Sequence, residues 1–183
     1  MGRSKFSVRD LCFTGIFAAV ITVASQLSVP MPYGVPMTLQ TFVIPLAGIA
    51  LGAKKGAIAT FIYIGLGAAG IPVFAGYAGG MGIVFGPTGG FILSFPVMAL
   101  LAGAGAKKDK MTWLASGLVA GAAFNYICGM LWFGFATSAD LKTAFAACVM
   151  PFIPTAIVKI ALAAAFGRQV RRALAKRFSP SPT

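Results

Sequence analysis

Two long stretches of this chain, residues 11–53 and 56–106, contain no Asp, Glu, Lys or Arg; they run 43 and 51 residues. A soluble fold with such runs would expose large apolar patches. A helix needs about 20 apolar residues, at about 1.5 Å rise each, to cross the hydrocarbon core of a bilayer. Each run therefore has room for two spans and a connection. Residues 111–139 and 143–158 are also uncharged, the latter continuing past Lys159 to Gly167. Only 10% of the chain is charged, against about 25% in soluble domains, so lipid is the expected solvent.

Helix breakers divide the runs. Pro30, Pro32, Gly34 and Pro36 separate a first pair of spans, and residues 70–90, with eight glycines plus Pro72 and Pro87, separate the next. The reading is an all-α integral membrane fold of six transmembrane helices over about 9–28, 41–53, 56–70, 90–106, 111–136 and 148–175. Residues 1–178 form one membrane domain, and 179–183, a Ser-Pro repeat, a disordered tail. Six spans put 13 of the 15 positive residues on one side: Arg3, Lys5 and Arg9; Lys54 and Lys55; Lys107, Lys108 and Lys110; and Arg168, Arg171, Arg172, Lys176 and Arg177. That side is cytoplasmic by the positive-inside rule, with both termini on it. The first hydrophobic run exceeds a signal-peptide core of about 7–15 residues and reads as a retained span. Trp113 and Trp132, 19 residues apart, would sit near the two interfaces, unless either simply packs in the bundle.

Several function classes are excluded. The net charge of +12 comes in separated clusters rather than one stripe, which argues against nucleic-acid binding. Three scattered cysteines and no histidine leave no metal site or disulfide framework. Residues 65–70 match GxGxxG but follow no strand and precede no acidic partner, so close helix packing explains them better than a dinucleotide. With no paired carboxylates, no histidine and no Gly-Lys dipeptide for a Walker loop, the chain is expected to be no enzyme, to hold no cofactor and to draw any energy from a partner.

Lys159 is the informative exception, lying midway along the sixth hydrophobic stretch. A lysine at the bilayer centre costs about 2.5–3.5 kcal/mol. It can snorkel, pair with an acid or bind an anionic ligand, and Asp10, Asp109 and Asp140 all fall at predicted ends or loops. The uncharged connections 29–40 and 70–90 read as lids over an outward-facing cavity. Phe74, Tyr77, Phe85 and Tyr126 are candidate walls; Gln40, Thr41, Thr88 and Asn125 are candidate hydrogen-bonding groups, with core packing the competing role for each. Gly15 and Ala19 form a small-xxx-small pair on the first helix.

The segments PMTLQTF (36–42), GIPVFAG (70–76), FGPTGGF (85–91) and PFIP (151–154) followed by Lys159 resemble, in order and over nearly the whole chain, the BioY family. These are biotin-specific S components of energy-coupling-factor (ECF) transporters. The resemblance implies a six-helix S-component fold and a vitamin site near the outer face, closed by the first and third connections. Lys159 corresponds to the family's biotin-binding lysine. It further implies a multi-pass protein of the bacterial cytoplasmic membrane. Gly15 and Ala19, the former replacing a family alanine, would dock on a transmembrane coupling subunit, with two ATP-binding subunits supplying energy. The chain departs from the pattern at Ala156, where family members usually carry Asp, and at Ala78, where many carry a polar or basic residue. Those departures keep open a stand-alone facilitator or channel for a small acidic vitamin, biotin or lipoate-like; a purely structural membrane protein is a third class.

Overall fold

The computed structural model describes residues 7–108 and 110–177, and these are mostly helical. Helix α1 (Val8–Gln26) starts behind a capping box: the Ser7 hydroxyl accepts from the Asp10 amide, and the Asp10 carboxylate accepts from the Ser7 amide. The Asp10 carboxylate also pairs with Lys55 at 2.5 Å, tying the start of α1 to the first turn of α3 (Ala53–Ala68). α1 buries Thr14 and Ala18 while Leu11, Ile16 and Val23 are exposed. A helix apolar all round belongs in an apolar surrounding.

α2 (Gln40–Leu51) and α3 meet at Gly52. The sequence placed this reversal at Lys54 and Lys55; the structure moves it back, because Gly52 takes φ 86°, a conformation that disfavours side chains. Both lysines instead lie in the first turn of α3. The two helices touch backbone to backbone: a Cβ on Gly56 would stand 2.7 Å from the Gly48 nitrogen.

α5 (Gly89–Ala106) is the central helix. Two thirds of its length is buried, against about a third for α1 and for α6 (Met111–Thr137). It packs against α2, α3 and α6. Before α2, a short antiparallel ribbon of β1 (Ser28–Val29) and β2 (Met37–Thr38) pairs Ser28 with Thr38. Between α3 and α5 lie a 3₁₀ turn (Ala75–Tyr77) and a single α-helical turn, α4 (Met81–Val84).

The expected helix over 148–175 begins at Ile153, and a separate short helix that the sequence did not suggest precedes it. α7 (Leu141–Cys148) is capped by the Asp140 carboxylate, which accepts from the Lys142 amide at 3.2 Å. A 3₁₀ turn over Met150–Phe152 follows, and α8 (Ile153–Arg177) then runs back along α2. Pro151 and Pro154 sit in the turn and in the first turn of α8, where a missing N–H breaks no helix bond.

Four segments are long and apolar enough to cross a membrane: Val8–Gln26, Gly89–Ala106, Met111–Thr137 and Leu141–Leu174. α2 and α3 are shorter, at 12 and 16 residues. Trp132 turns out to clamp the third connection: its indole donates to the Gly86 carbonyl at 3.0 Å and covers Gly90. Trp113 is half exposed, beneath the Lys108 ammonium. The tail 179–183 lies outside the described residues.

Candidate functional site

The ends of α2, α5, α6 and α8 remote from the basic clusters enclose a cavity of about 210 Å³. This is below the usual 300–1,000 Å³ of ligand pockets, so it suits a small molecule held closely. Its polar corner is built by local sequence. The ribbon delivers Thr38, and two residues later the chain enters α2 with Gln40 and Thr41 in the first turn. Lys159 reaches this corner from α8. Its ammonium donates to the Thr38 carbonyl at 2.7 Å and to Thr41 Oγ1 at 3.0 Å. An ammonium has three donors, so one remains for a ligand. Both partners are neutral, and among the described residues no carboxylate pairs with this ammonium.

Behind Lys159 runs a buried chain of hydrogen bonds. The Thr38 hydroxyl donates to Gln40 Oε1 at 2.8 Å, and Gln40 Nε2 donates to the Tyr63 hydroxyl at 2.5 Å. Such a network fixes Gln40 and leaves it one amide N–H to offer. Across the cavity stands the face of α5 formed by Thr88, Phe91, Ile92 and Phe95. Phe91 meets Tyr126 edge to face at 6.5 Å, and Tyr126 meets Phe152 at 6.3 Å. Phe74 is held edge to face on Tyr63 at 5.5 Å.

Both glycine-rich connections contribute walls, the first through Gly34, Val35 and Pro36, the third through Phe74, Ala75, Ala78 and Ile83. The third is strapped to the end of α1. Gln26 Nε2 donates to the carbonyls of Val73 and Phe74 at 3.2 and 3.1 Å, and Gln26 Oε1 accepts from the Tyr77 amide at 2.9 Å. Within the strap, Phe74 N–H donates to Ala78 at 2.9 Å around a tight turn with positive φ at Gly76 and Tyr77. That turn points Phe74 inward and Tyr77 outward.

Six of the nine sequence candidates line the cavity: Lys159, Gln40, Thr41, Phe74, Thr88 and Tyr126. Tyr77 and Phe85 do not; they are 74% and 61% exposed. Asn125 does not either. It is fully buried behind the wall, donating to the Phe91 carbonyl at 3.0 Å and to Ser94 Oγ at 2.7 Å, so it joins α6 to α5. Sequence reasoning passed over Phe91, Ile92, Phe95 and Phe152. The spacing 88, 91, 92, 95 is one helical face, so Thr88 as a candidate would have led to the first three. Gly15 and Ala19 lie on the outer face of α1, with nothing within 4 Å of where a Gly15 Cβ would stand.

The family model described as "BioY family" matches residues 1–176. The chain is 41% identical over 155 residues to the "Probable biotin transporter BioY" of Pyrococcus horikoshii, covering 85% of this chain and 91% of that protein. It is 35% identical over 166 residues to the "Biotin transporter BioY" of Thermotoga maritima, covering 90% and 97%. A crystal structure of the S-component for biotin from an ECF-type ABC transporter superposes with a TM-score of 0.83 at 28% identity, over 94% of this chain and 95% of that one. With the match running from the basic N-terminus through Lys159 and most of α8, the chain belongs to the BioY family.

Proposed function

We propose that this protein is the substrate-binding subunit for biotin uptake, and that the vitamin occupies the Lys159 cavity with its carboxylate against the ammonium. One observation carries the reading: an ammonium enclosed among neutral and aromatic groups, bonded to two neutral oxygens, with no carboxylate partner among the described residues. A charge so placed is balanced most favourably by the ligand. The aromatic walls suit an apolar ring system, and Gln40 and Thr88 offer orienting bonds, the Thr88 hydroxyl making no capping bond to α5.

The family is one of transporters, and the protein acts by binding, not by catalysis. We read six spans in one membrane domain, with α2 and α3 as the two short ones and α7 lying at the membrane surface. Both termini and the basic clusters face the cytoplasm of a bacterial cell, as the positive-inside rule requires. The exposed Gly15–Ala19 face of α1 is the docking surface for a transmembrane coupling subunit, whose two ATP-binding subunits supply energy. A stand-alone facilitator is disfavoured because the core beneath the cavity, Met98, Ala99, Ala102, Leu114 and Leu118, is buried and apolar.

Calorimetry on the purified protein tests the binding role. One biotin per chain is expected; no heat with biotin at any concentration would refute it. Uptake of labelled biotin into cells with and without the coupling and ATP-binding subunits tests the partnership, with uptake expected only in their presence.

A further inference from the structure

The opposite end of the bundle holds a second cavity, of about 230 Å³, lined by Lys110, Arg168, Arg171 and Arg172 against an apolar rear wall of Ile49, Ala106 and Leu114. We propose that this cleft binds a phosphate group, supplied by the headgroup of an anionic lipid seated between α8 and the α5–α6 corner.

The cleft is a built feature. α8 approaches α2 closely at Gly167, where a Cβ would come within 2.8 Å of the Ile49 side chain. Larger residues there would push α8 outward and open the corner. The following turns of α8 bring Arg168 and Arg171 over the end of α5. The Arg171 guanidinium donates to the Ala106 carbonyl, and Arg168 Nη1 reaches Met111 Sδ at 3.9 Å. Both arginines are half-buried, whereas Lys110 and Arg172 are exposed at the rim.

Charge arithmetic then calls for an anion. The whole chain has three acids. Asp10 is paired with Lys55, and Asp140 caps α7 after the far end of α6. Asp109, outside the described residues, is the one acidic side chain left, so the four cations of the cleft outnumber the acidic side chains available to them. Guanidinium groups bind phosphate oxygens in pairs, and the cleft has roughly eight times the ~30 Å³ that a water occupies in the liquid. The neighbouring apolar surface decides the source: Met111, in contact with Arg168, is exposed and continues the apolar rear wall of Ile49, Ala106 and Leu114, a surface that accommodates acyl chains and that free phosphate would leave bare. Basic pockets between membrane helices are known receptors for anionic headgroups.

The test is native mass spectrometry of the full-length protein released from neutral detergent, after incubation with phosphatidylglycerol, phosphatidylcholine or inorganic phosphate. Retention of phosphatidylglycerol over phosphatidylcholine is expected. Lys110→Gln with Arg172→Gln should reduce it about tenfold, as should Arg168→Gln with Arg171→Gln. Among the described residues the rim pair's side chains make no hydrogen bond or ion pair, so it reads the site even if the second pair unfolds the corner. Lys107→Gln with Lys108→Gln, outside the cleft, should leave retention unchanged. Equal retention of the two lipids, or equal losses from rim and control pairs, would overturn the proposal. Inorganic phosphate displacing the lipid at millimolar concentration would overturn the lipid as its source.

Discussion

The two ends of the bundle enclose cavities of nearly the same size, about 210 and about 230 Å³, and treat positive charge in opposite ways. At one end a single half-buried ammonium is walled by aromatic rings and two neutral connections. At the other, four cations share an open corner with three apolar residues. A lone enclosed charge is expensive to leave unbalanced and is held in fixed geometry, so it selects one group on one ligand. Several half-exposed charges are cheaply solvated and screened, so they attract a class of anion with little discrimination. The first arrangement fits a cargo site, the second a membrane anchor.

Removing Lys159 is the largest expected disturbance to that contrast. Lys159→Ala should weaken biotin binding by about 30-fold to several thousand-fold, the 2–5 kcal/mol of a charge pair truncated on one side. It should leave anionic-lipid retention unchanged. Calorimetry and native mass spectrometry on the same preparation read both, and equal sensitivity of the two ligands would erase the distinction between the ends.

Phe74→Ala reaches the contrast indirectly, through the fold: it removes a 2%-exposed ring packed on Tyr63. A loss of about 3–5 kcal/mol of stability is expected, read as a lowered thermal midpoint in detergent that saturating biotin partly restores. A smaller effect is expected for Gln26→Ala. It frees the Phe74 carbonyl and the Tyr77 amide, while the Val73 carbonyl keeps its bond from the Ser25 hydroxyl, and should raise the dissociation rate of biotin about tenfold, the scale of one or two lost hydrogen bonds. Lipid retention should not move.

The smallest contrast is in salt. Between 50 and 500 mM NaCl (about 14 and 4 Å of screening length), retention of phosphatidylglycerol should fall several-fold. Biotin affinity should change by less than about twofold. A steeper salt dependence for biotin than for lipid would place Lys159 in solvent and contradict the cavity.

Much of this was legible in the sequence because lipid and charge write coarse signals. Uncharged runs marked the helices, and a lysine amid one of them marked the cavity. Turn chemistry and side-chain direction were less legible. Nothing in residues 70–80 alone says that a positive-φ turn aims Phe74 inward and Tyr77 outward. Asn125 read as a ligand group because a polar residue in a span needs a partner; its partners are Phe91 and Ser94 on the neighbouring helix, which sequence spacing cannot reveal. α7 was hidden because its Leu, Phe and Ala residues merge with the hydrophobic run that follows. The second cavity depends on Gly167 bringing α8 against Ile49, a contact between residues more than a hundred positions apart.

The central claim is that the Lys159 ammonium is balanced by the carboxylate of the cargo. It is tested most directly by a thermodynamic cycle: calorimetric affinities of biotin and of its uncharged carboxamide, each for the parent protein and for Lys159→Ala. Loss of the carboxylate should weaken binding to the parent by tenfold or more, about 1.4 kcal/mol at least, and should change little once the lysine is gone. Equal losses in the two proteins would show that the carboxylate and the lysine do not meet.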